Sequence, residues 1–251
     1  RKSVQCDFMI RTFLYFLLIA CLYVAPACAQ NKGLPQSDFS AMAQTGKAKV
    51  SQIIDPQTIL LDDGQLIRLA DLYFPDYKNQ QPDDISITAL AILRDLLVGK
   101  QVNIYQTRNK KLGRINRLGH HIAHLERSDD NAWVQGSLVS LGLAQVNTSK
   151  NNPEMADAMY TLEQKARAEK LGLWAIDDFT VLTPETAENH IGTFAIVEGP
   201  IESVSLKQNR IYLNFGPNWR NDFTVSIAPA DKRSFANAGY GAQKTRFDEF
   251  Q

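Results

Sequence analysis

The stretch from Lys47 to Asp76, KAKVSQIIDPQTILLDDGQLIRLADLYFPD, limits the fold more than any other part of the chain. Aliphatic and β-branched residues crowd into Lys47–Ile54 and Thr58–Leu61, separated by Asp55-Pro56-Gln57. Asp62-Asp63-Gly64 is a hairpin turn signal. Gln65–Leu72 then alternates, with Leu66, Arg68 and Ala70 against Ile67, Leu69 and Asp71, as a half-buried strand does. A helix accommodates neither Pro56 nor the Asp-Asp-Gly turn, so this part of the chain folds as successive short strands.

Past a polar loop, Phe74–Asp84, Ser86–Val98 carries apolar residues at helical spacing, and Gly99 stands where a left-handed residue ends a helix. Val102–Tyr105 and His121–Leu125 read as two antiparallel strands joined by a basic connection. Ala132–Leu141 is a second helix closed by Gly142. Pro153 opens a third, which runs to about Lys170 and ends at Gly172-Leu173-Trp174. The order β-β-β-α-β-β-α-α predicts an α+β domain: a small closed barrel with helices packed on it. Beyond a linker, residues 192–251 are β-rich, with runs at Thr193–Val204, Arg210–Phe215 and Phe223–Ile227 and a turn at Gly216-Pro217-Asn218. Three strands close a barrel poorly, which predicts a smaller second β domain cut short at its C-terminus.

The N-terminus has the signature of an export leader. Met9-Ile10-Arg11 is a short basic start, Thr12–Pro26 is apolar but shorter than the roughly 20 residues of a membrane span, and Ala27-Cys28-Ala29 is a small-residue cleavage site. Met9 is the expected true start. Two alternatives are an uncleaved anchor and a lipobox ending at Cys21. All three cysteines, Cys6, Cys21 and Cys28, lie in this leader, so the processed chain has no disulfide and no thiolate chemistry. The expected segments are a leader at 1–29, a linker at 30–43, the barrel domain at 44–178, a second linker at 179–190 and the β-rich domain at 191–251. The expected location is periplasmic or secreted, no membrane is expected as a partner once the leader is removed, and the expected state is a monomer. Lys+Arg and Asp+Glu are both 27, so a nucleic-acid partner would have to be met by a local patch.

The span from Lys47 to Trp174 resembles the staphylococcal nuclease (thermonuclease) family. Glu163, Ala166, Gly172 and Trp174 match its closing E-x-x-A…G-x-W pattern, and Gly142-Leu143-Ala144 its preceding helix and turn. The resemblance implies a five-stranded OB-like barrel with three helices, extended here by a β-rich domain as in some bacterial thermonuclease-like proteins. It also implies hydrolysis of nucleic-acid phosphodiesters with Ca2+. That chemistry draws on a D-G-D-T turn, an R-L-x-x-x-D-x-P-E strand end and a D-x-Y-G-R hairpin, which together supply oxygen ligands, a general base and two phosphate-binding arginines.

Most of those positions are changed. Asp55-Pro56-Gln57-Thr58 stands at the first motif, so Asp55 keeps a carboxylate while Gln57 replaces a metal-binding one. In the second, Arg68 matches the phosphate-binding arginine, Tyr73 replaces the other metal-binding aspartate, and Asp76 replaces the general-base glutamate with a carboxylate one methylene shorter. Asp71, an extra carboxylate two residues before Tyr73 and on the same strand face by alternation, is a substitute metal ligand beside Asp55 and Gln57. The third motif fits in two registers. In one, Asn116–His120 aligns and His120 stands at the second arginine, with Leu118 at the stacking tyrosine. In the other, Lys111–Arg114 aligns and keeps an arginine. His120, His121 and His124 are otherwise histidines on the surface of a hairpin.

Between Lys100 and Glu126 there is no acidic residue, whereas Arg108, Lys110, Lys111, Arg114 and Arg117 supply cations for phosphate. No Gly-rich phosphate loop, zinc spacing or serine-nucleophile elbow is present. The expectation is a family member with calcium-dependent cleavage weak or absent. It would bind single- or double-stranded nucleic acid or, alternatively, serve as a catalytically inactive nucleic-acid- or protein-binding module of the cell envelope.

Overall fold

The computed structural model describes residues 33–74, 84–176, 181–193, 195–218 and 220–233. The leader with its cysteines, Asp76 and the final residues 234–251 lie outside the described residues. The chain divides into two units, residues 1–34 and 35–251. Only Gly33 and Leu34 of the first are described, and everything below concerns the second.

Five strands close a barrel in the order β1-β2-β3-β6-β5. Strand β1, Ala43–Asp55, is long because it closes the barrel: Ala43–Lys49 pairs with β5, Gln101–Gln106, and Val50–Asp55 pairs with β2, Thr58–Leu61. Gly64, at φ 86°, turns β2 into β3, Leu66–Leu69, as the Asp-Asp-Gly signal predicts. Strand β3 then runs parallel to β6, His121–Arg127, which is antiparallel to β5. Ile53, Ile59, Leu61, Ile67, Leu69, Val102 and Leu125 are buried in the core.

Helix α1, Asp84–Leu97, buries Ala89, Leu93 and Leu97, one residue per turn. Gly99, at φ 78°, ends it as expected, and its N–H donates to Val50 O. Helices α2, Val134–Ser140, and α3, Ala156–Ala168, pack on one another. Pro153 sits one turn ahead of α3 rather than in it. The turn after α2 and the turn after α3 meet backbone to backbone. A Cβ on Gly142, at φ 66°, would lie 2.1 Å from Leu171 O, and one on Gly172 would lie 2.4 Å from Gly142 O. Leu173 N–H donates to Gly142 O at 2.8 Å. This contact is the physical content of the glycines in the closing motif.

Glu163 completes that motif. It is buried on α3, and its Oε1 accepts the Val146 N–H at 2.8 Å, satisfying strand β7, Gln145–Val146. Its other oxygen pairs with Arg167 at 2.9 Å. Arg167 also reaches Glu198 at 2.7 Å and lies 4.5 Å from the Trp174 ring centroid.

Three expectations are corrected. The run Gln65–Leu72 is not one strand. It breaks after Leu69, and Asp71 adopts φ 59°, so Leu72–Tyr73 forms a separate strand, β4, paired with β7. The described part of the expected 30–43 linker packs on the barrel: Phe39 and Met42 are buried, and Phe39 stacks on Tyr105 with centroids 4.3 Å apart. In the C-terminal part, the run expected at Thr193–Val204 begins only at Ser203. There β8, Ser203–Lys207, β9, Arg210–Asn214, and β10, Thr224–Ile227, form an antiparallel sheet with β9 central. Buried Asn214 ties it, donating to Ser203 Oγ and accepting from Thr224 Oγ1.

Candidate nuclease-type site

The β1–β2 turn and strand β3 bring together the residues expected for phosphate and metal. Thr58 is the cross-strand partner of Arg68. The Arg68 guanidinium donates from Nη1 to Thr58 Oγ1 at 3.2 Å and from Nη2 to Gln57 Oε1. Asp55 Oδ1 lies 3.9 Å from Nη1 and accepts the Gln57 N–H at 2.7 Å. The other end of the Gln57 amide donates from Nε2 to Leu72 O at 2.5 Å. Gln57 therefore bridges the arginine to the start of β4, with both ends of its amide occupied. Two of the five guanidinium N–H groups are spent in these bonds, and Arg68 is only partly buried, so donors remain for an outside anion.

These residues do not fit a calcium ion. A hard cation wants several oxygen ligands, mostly charged. The Gln57 oxygen holds a guanidinium instead, which repels a cation placed beside it. Asp71 does not face the site at all. Its backbone turn sends the carboxylate inward, where Oδ2 lies 3.3 Å from His124 Nε2 and Oδ1 accepts the Ser149 N–H at 3.3 Å. The two side chains are 2% and 0% exposed. This corrects the expectation that Asp71 shares a strand face with Tyr73 and helps hold a metal. Among the described residues, no group of three or more His, Cys, Asp or Glu is placed to hold a metal ion.

His124 is likewise not a surface histidine. Ala123 and Leu125 face one side of β6 and His124 the other, and that other side is covered too. Trp133 and Phe39 lie over it, with ring centroids 5.7 and 6.4 Å from the His124 ring. The Trp133 indole N–H donates to His124 Nδ1 at 3.2 Å. An indole is a donor only, so Nδ1 presents a lone pair and the ring proton sits on Nε2, facing Asp71. The Trp133–His124–Asp71 chain was missed in sequence because a histidine on a strand after a basic hairpin carries no mark of burial. The one signal was Trp133 close after the strand.

Asn116–Gly119 is the turn into β6: Gly119 has φ 82°, and the Asn116 side chain accepts the N–H groups of Leu118 and His120. Arg114 lies on the opposite arm, its carbonyl accepting the Ile122 N–H. His120 is half-buried, and its Nδ1 has no hydrogen-bond partner among the described residues.

The five expected phosphate cations divide into two groups. Arg108 donates to Ser40 O at 2.6 Å and Met42 O at 3.3 Å, fastening the N-terminal segment, and Arg114 Nε donates to Thr107 O at 2.8 Å. These two are partly structural, which corrects their assignment as phosphate contacts alone. Lys110, Lys111 and Arg117 are exposed, with no side-chain partner among the described residues. Elsewhere on the barrel, burial and the neighbouring Glu126 carboxylate push the Tyr105 hydroxyl above its ordinary range. Hydrogen bonds from Arg127, then Lys100, hold Asp129 well below the usual carboxylate range.

No curated protein matches the chain. Residues 66–176 match the family model described as Staphylococcal nuclease homologue, from β3 and Arg68 through the hairpin, α2 and α3 to the turn at Gly172–Ala175. Residues 66–176, which lie in the closed five-stranded barrel and its helices, therefore form a domain of the staphylococcal nuclease homologue family.

Proposed function

We propose that this chain is an exported member of the family that holds nucleic acid by its phosphate backbone, with calcium-dependent phosphodiester hydrolysis weak or absent. The observation that carries this reading is the Gln57 amide. It occupies the position where the resemblance expects a metal-binding carboxylate, and it spans from the Arg68 guanidinium to Leu72 O. A carboxylate there would serve a cation; an amide engaged at both ends does not. With Asp71 committed to His124, Asp55 is the described carboxylate beside the arginine.

Arg68 keeps the geometry of a phosphate anchor. Strand pairing fixes its backbone, while Gln57 and Thr58 orient the guanidinium and leave other N–H groups for an anion. Lys110, Lys111 and Arg117 extend the positive surface. Contacts of this type are independent of sequence. If Arg68 and these three cations each meet one phosphate, the logarithm of affinity falls with the logarithm of salt at a slope of about −3.6 on duplex and about −2.8 on single strands. Export rests on the sequence of the first 29 residues. Among the described residues, no helix is long and apolar enough to cross a membrane.

The test is a calcium titration of cleavage alongside fluorescence anisotropy on labelled DNA and RNA, using residues 30–251 and Arg68→Ala. The expected result is salt-sensitive binding weakened by Arg68→Ala, with no calcium-stimulated cleavage. Calcium-dependent cleavage that disappears in Arg68→Ala would refute the proposal and identify a working hydrolase.

A further inference from the structure

The β5–β6 connection combines two kinds of exposed side chain that a phosphate-binding loop does not need together. Lys110, Lys111 and Arg117 are exposed cations, and Leu112, Ile115 and Leu118 are 57%, 59% and 78% exposed. All six lie within nine residues, and no Phe, Tyr or Trp occurs from Gln106 to His121. Glu154, half-buried, holds the start of this connection, its Oε1 accepting the Thr107 hydroxyl at 2.5 Å.

This presentation is built into the backbone. The Asn109 side chain accepts the N–H groups of Lys111 and Leu112, and the Asn116 side chain accepts those of Leu118 and His120. Gly113 backs onto the loop after β7, where an added Cβ would lie 2.4 Å from Asn151 O. The aliphatic side chains are thus held outward on short, fixed turns, and little ordering cost remains on docking.

Exposed aliphatic side chains gain nothing from a phosphodiester backbone in water. Unpaired bases are held chiefly on aromatic faces, which this connection lacks. A bilayer with anionic headgroups satisfies both features: cations sit at the phosphates while aliphatic tips enter the acyl boundary. We propose that the β5–β6 connection is a peripheral docking surface for anionic phospholipid membranes, with Leu112, Ile115 and Leu118 inserted among Lys110, Lys111 and Arg117. This goes beyond nucleic-acid binding and does not depend on Arg68.

The test is vesicle co-flotation of residues 30–251, which leave out the apolar leader and contain all of the second unit, residues 35–251. Vesicles of phosphatidylcholine with phosphatidylglycerol are compared with phosphatidylcholine alone. Two triple variants are included, Leu112→Ser/Ile115→Ser/Leu118→Ser and Lys110→Gln/Lys111→Gln/Arg117→Gln, and each is checked for an unchanged melting temperature. The expected result is selective binding to the anionic vesicles. It should weaken about tenfold or more in the serine variant and about fivefold per charge removed in the glutamine variant. Unchanged vesicle binding by the serine variant would overturn the proposal. So would retention on single-stranded DNA without any association with anionic vesicles, which would assign the surface to nucleic acid.

Discussion

Replacing His124 by phenylalanine removes the centre of a buried polar chain while keeping an aromatic ring in the cluster with Phe39 and Trp133. Two groups lose a partner. The Trp133 indole N–H, bonded to Nδ1 at 3.2 Å, becomes a buried donor with none, which costs about 1–3 kcal/mol. The Asp71 carboxylate, 2% exposed, keeps only the 3.3 Å bond from Ser149 N–H. Without the Nε2 donor the buried carboxylate loses a hydrogen bond to a charged group, worth about 1.5–3 kcal/mol. The two losses share one side chain and are not additive, and Phe recovers some packing. The expected destabilisation is therefore about 4 kcal/mol, a large share of the 5–15 kcal/mol typical of a domain. The assay is urea unfolding of wild type, His124→Phe and His124→Gln, followed by tryptophan fluorescence and circular dichroism. Glutamine carries both an amide NH2 donor and a carbonyl acceptor, so His124→Gln is expected to lie between the other two. Nitrogen-15 spectra near neutral pH should place the wild-type ring proton on Nε2. A loss below about 1 kcal/mol in His124→Phe, or a proton on Nδ1, would refute the argument.

Asp129→Asn tests an exposed network. Because the Arg127 and Lys100 bonds depress the folded-state acidity of Asp129, its stabilising effect is present above the unfolded carboxylate value of about 3.9 and is lost as pH falls through the lower folded value. Wild type should exceed the variant near neutral pH, and the two unfolding curves should converge in acid. Gly142→Ala must place a methyl group 2.1 Å from Leu171 O at a positive φ, so it should cost about 3 kcal/mol or more, read as a fall in urea midpoint. Arg167→Ala leaves buried Glu163 with the Val146 N–H alone and frees Glu198. A loss of about 3 kcal/mol is expected, with faster hydrogen exchange in β7.

The barrel was legible in sequence because its signals are local. Asp62-Asp63-Gly64 demands a hairpin, Gly99 and Gly142 end helices at left-handed positions, and the strand and helix periods do not overlap. The closing motif was legible as a pattern, but its reasons were not: Glu163 satisfies Val146, and Gly142 and Gly172 let two backbones touch. Strand pairing carries Arg68 beside Asp55 and Gln57.

Where a side chain points was decided elsewhere. Asp71 reads as one more residue of an alternating strand until a single positive φ turns it inward to His124, and no spacing rule encodes that turn. His124 is buried because Trp133 and the segment around Phe39, distant in sequence, cover the outer side of β6. Arg108 reads as a phosphate cation until the carbonyls of Ser40 and Met42 arrive beside it. Sequence by itself determined which elements form and in what order, because turns and periodicity act over a few residues. Tertiary structure decided which polar groups are spent inside the protein and which remain for a partner, because that depends on neighbours brought in from across the chain.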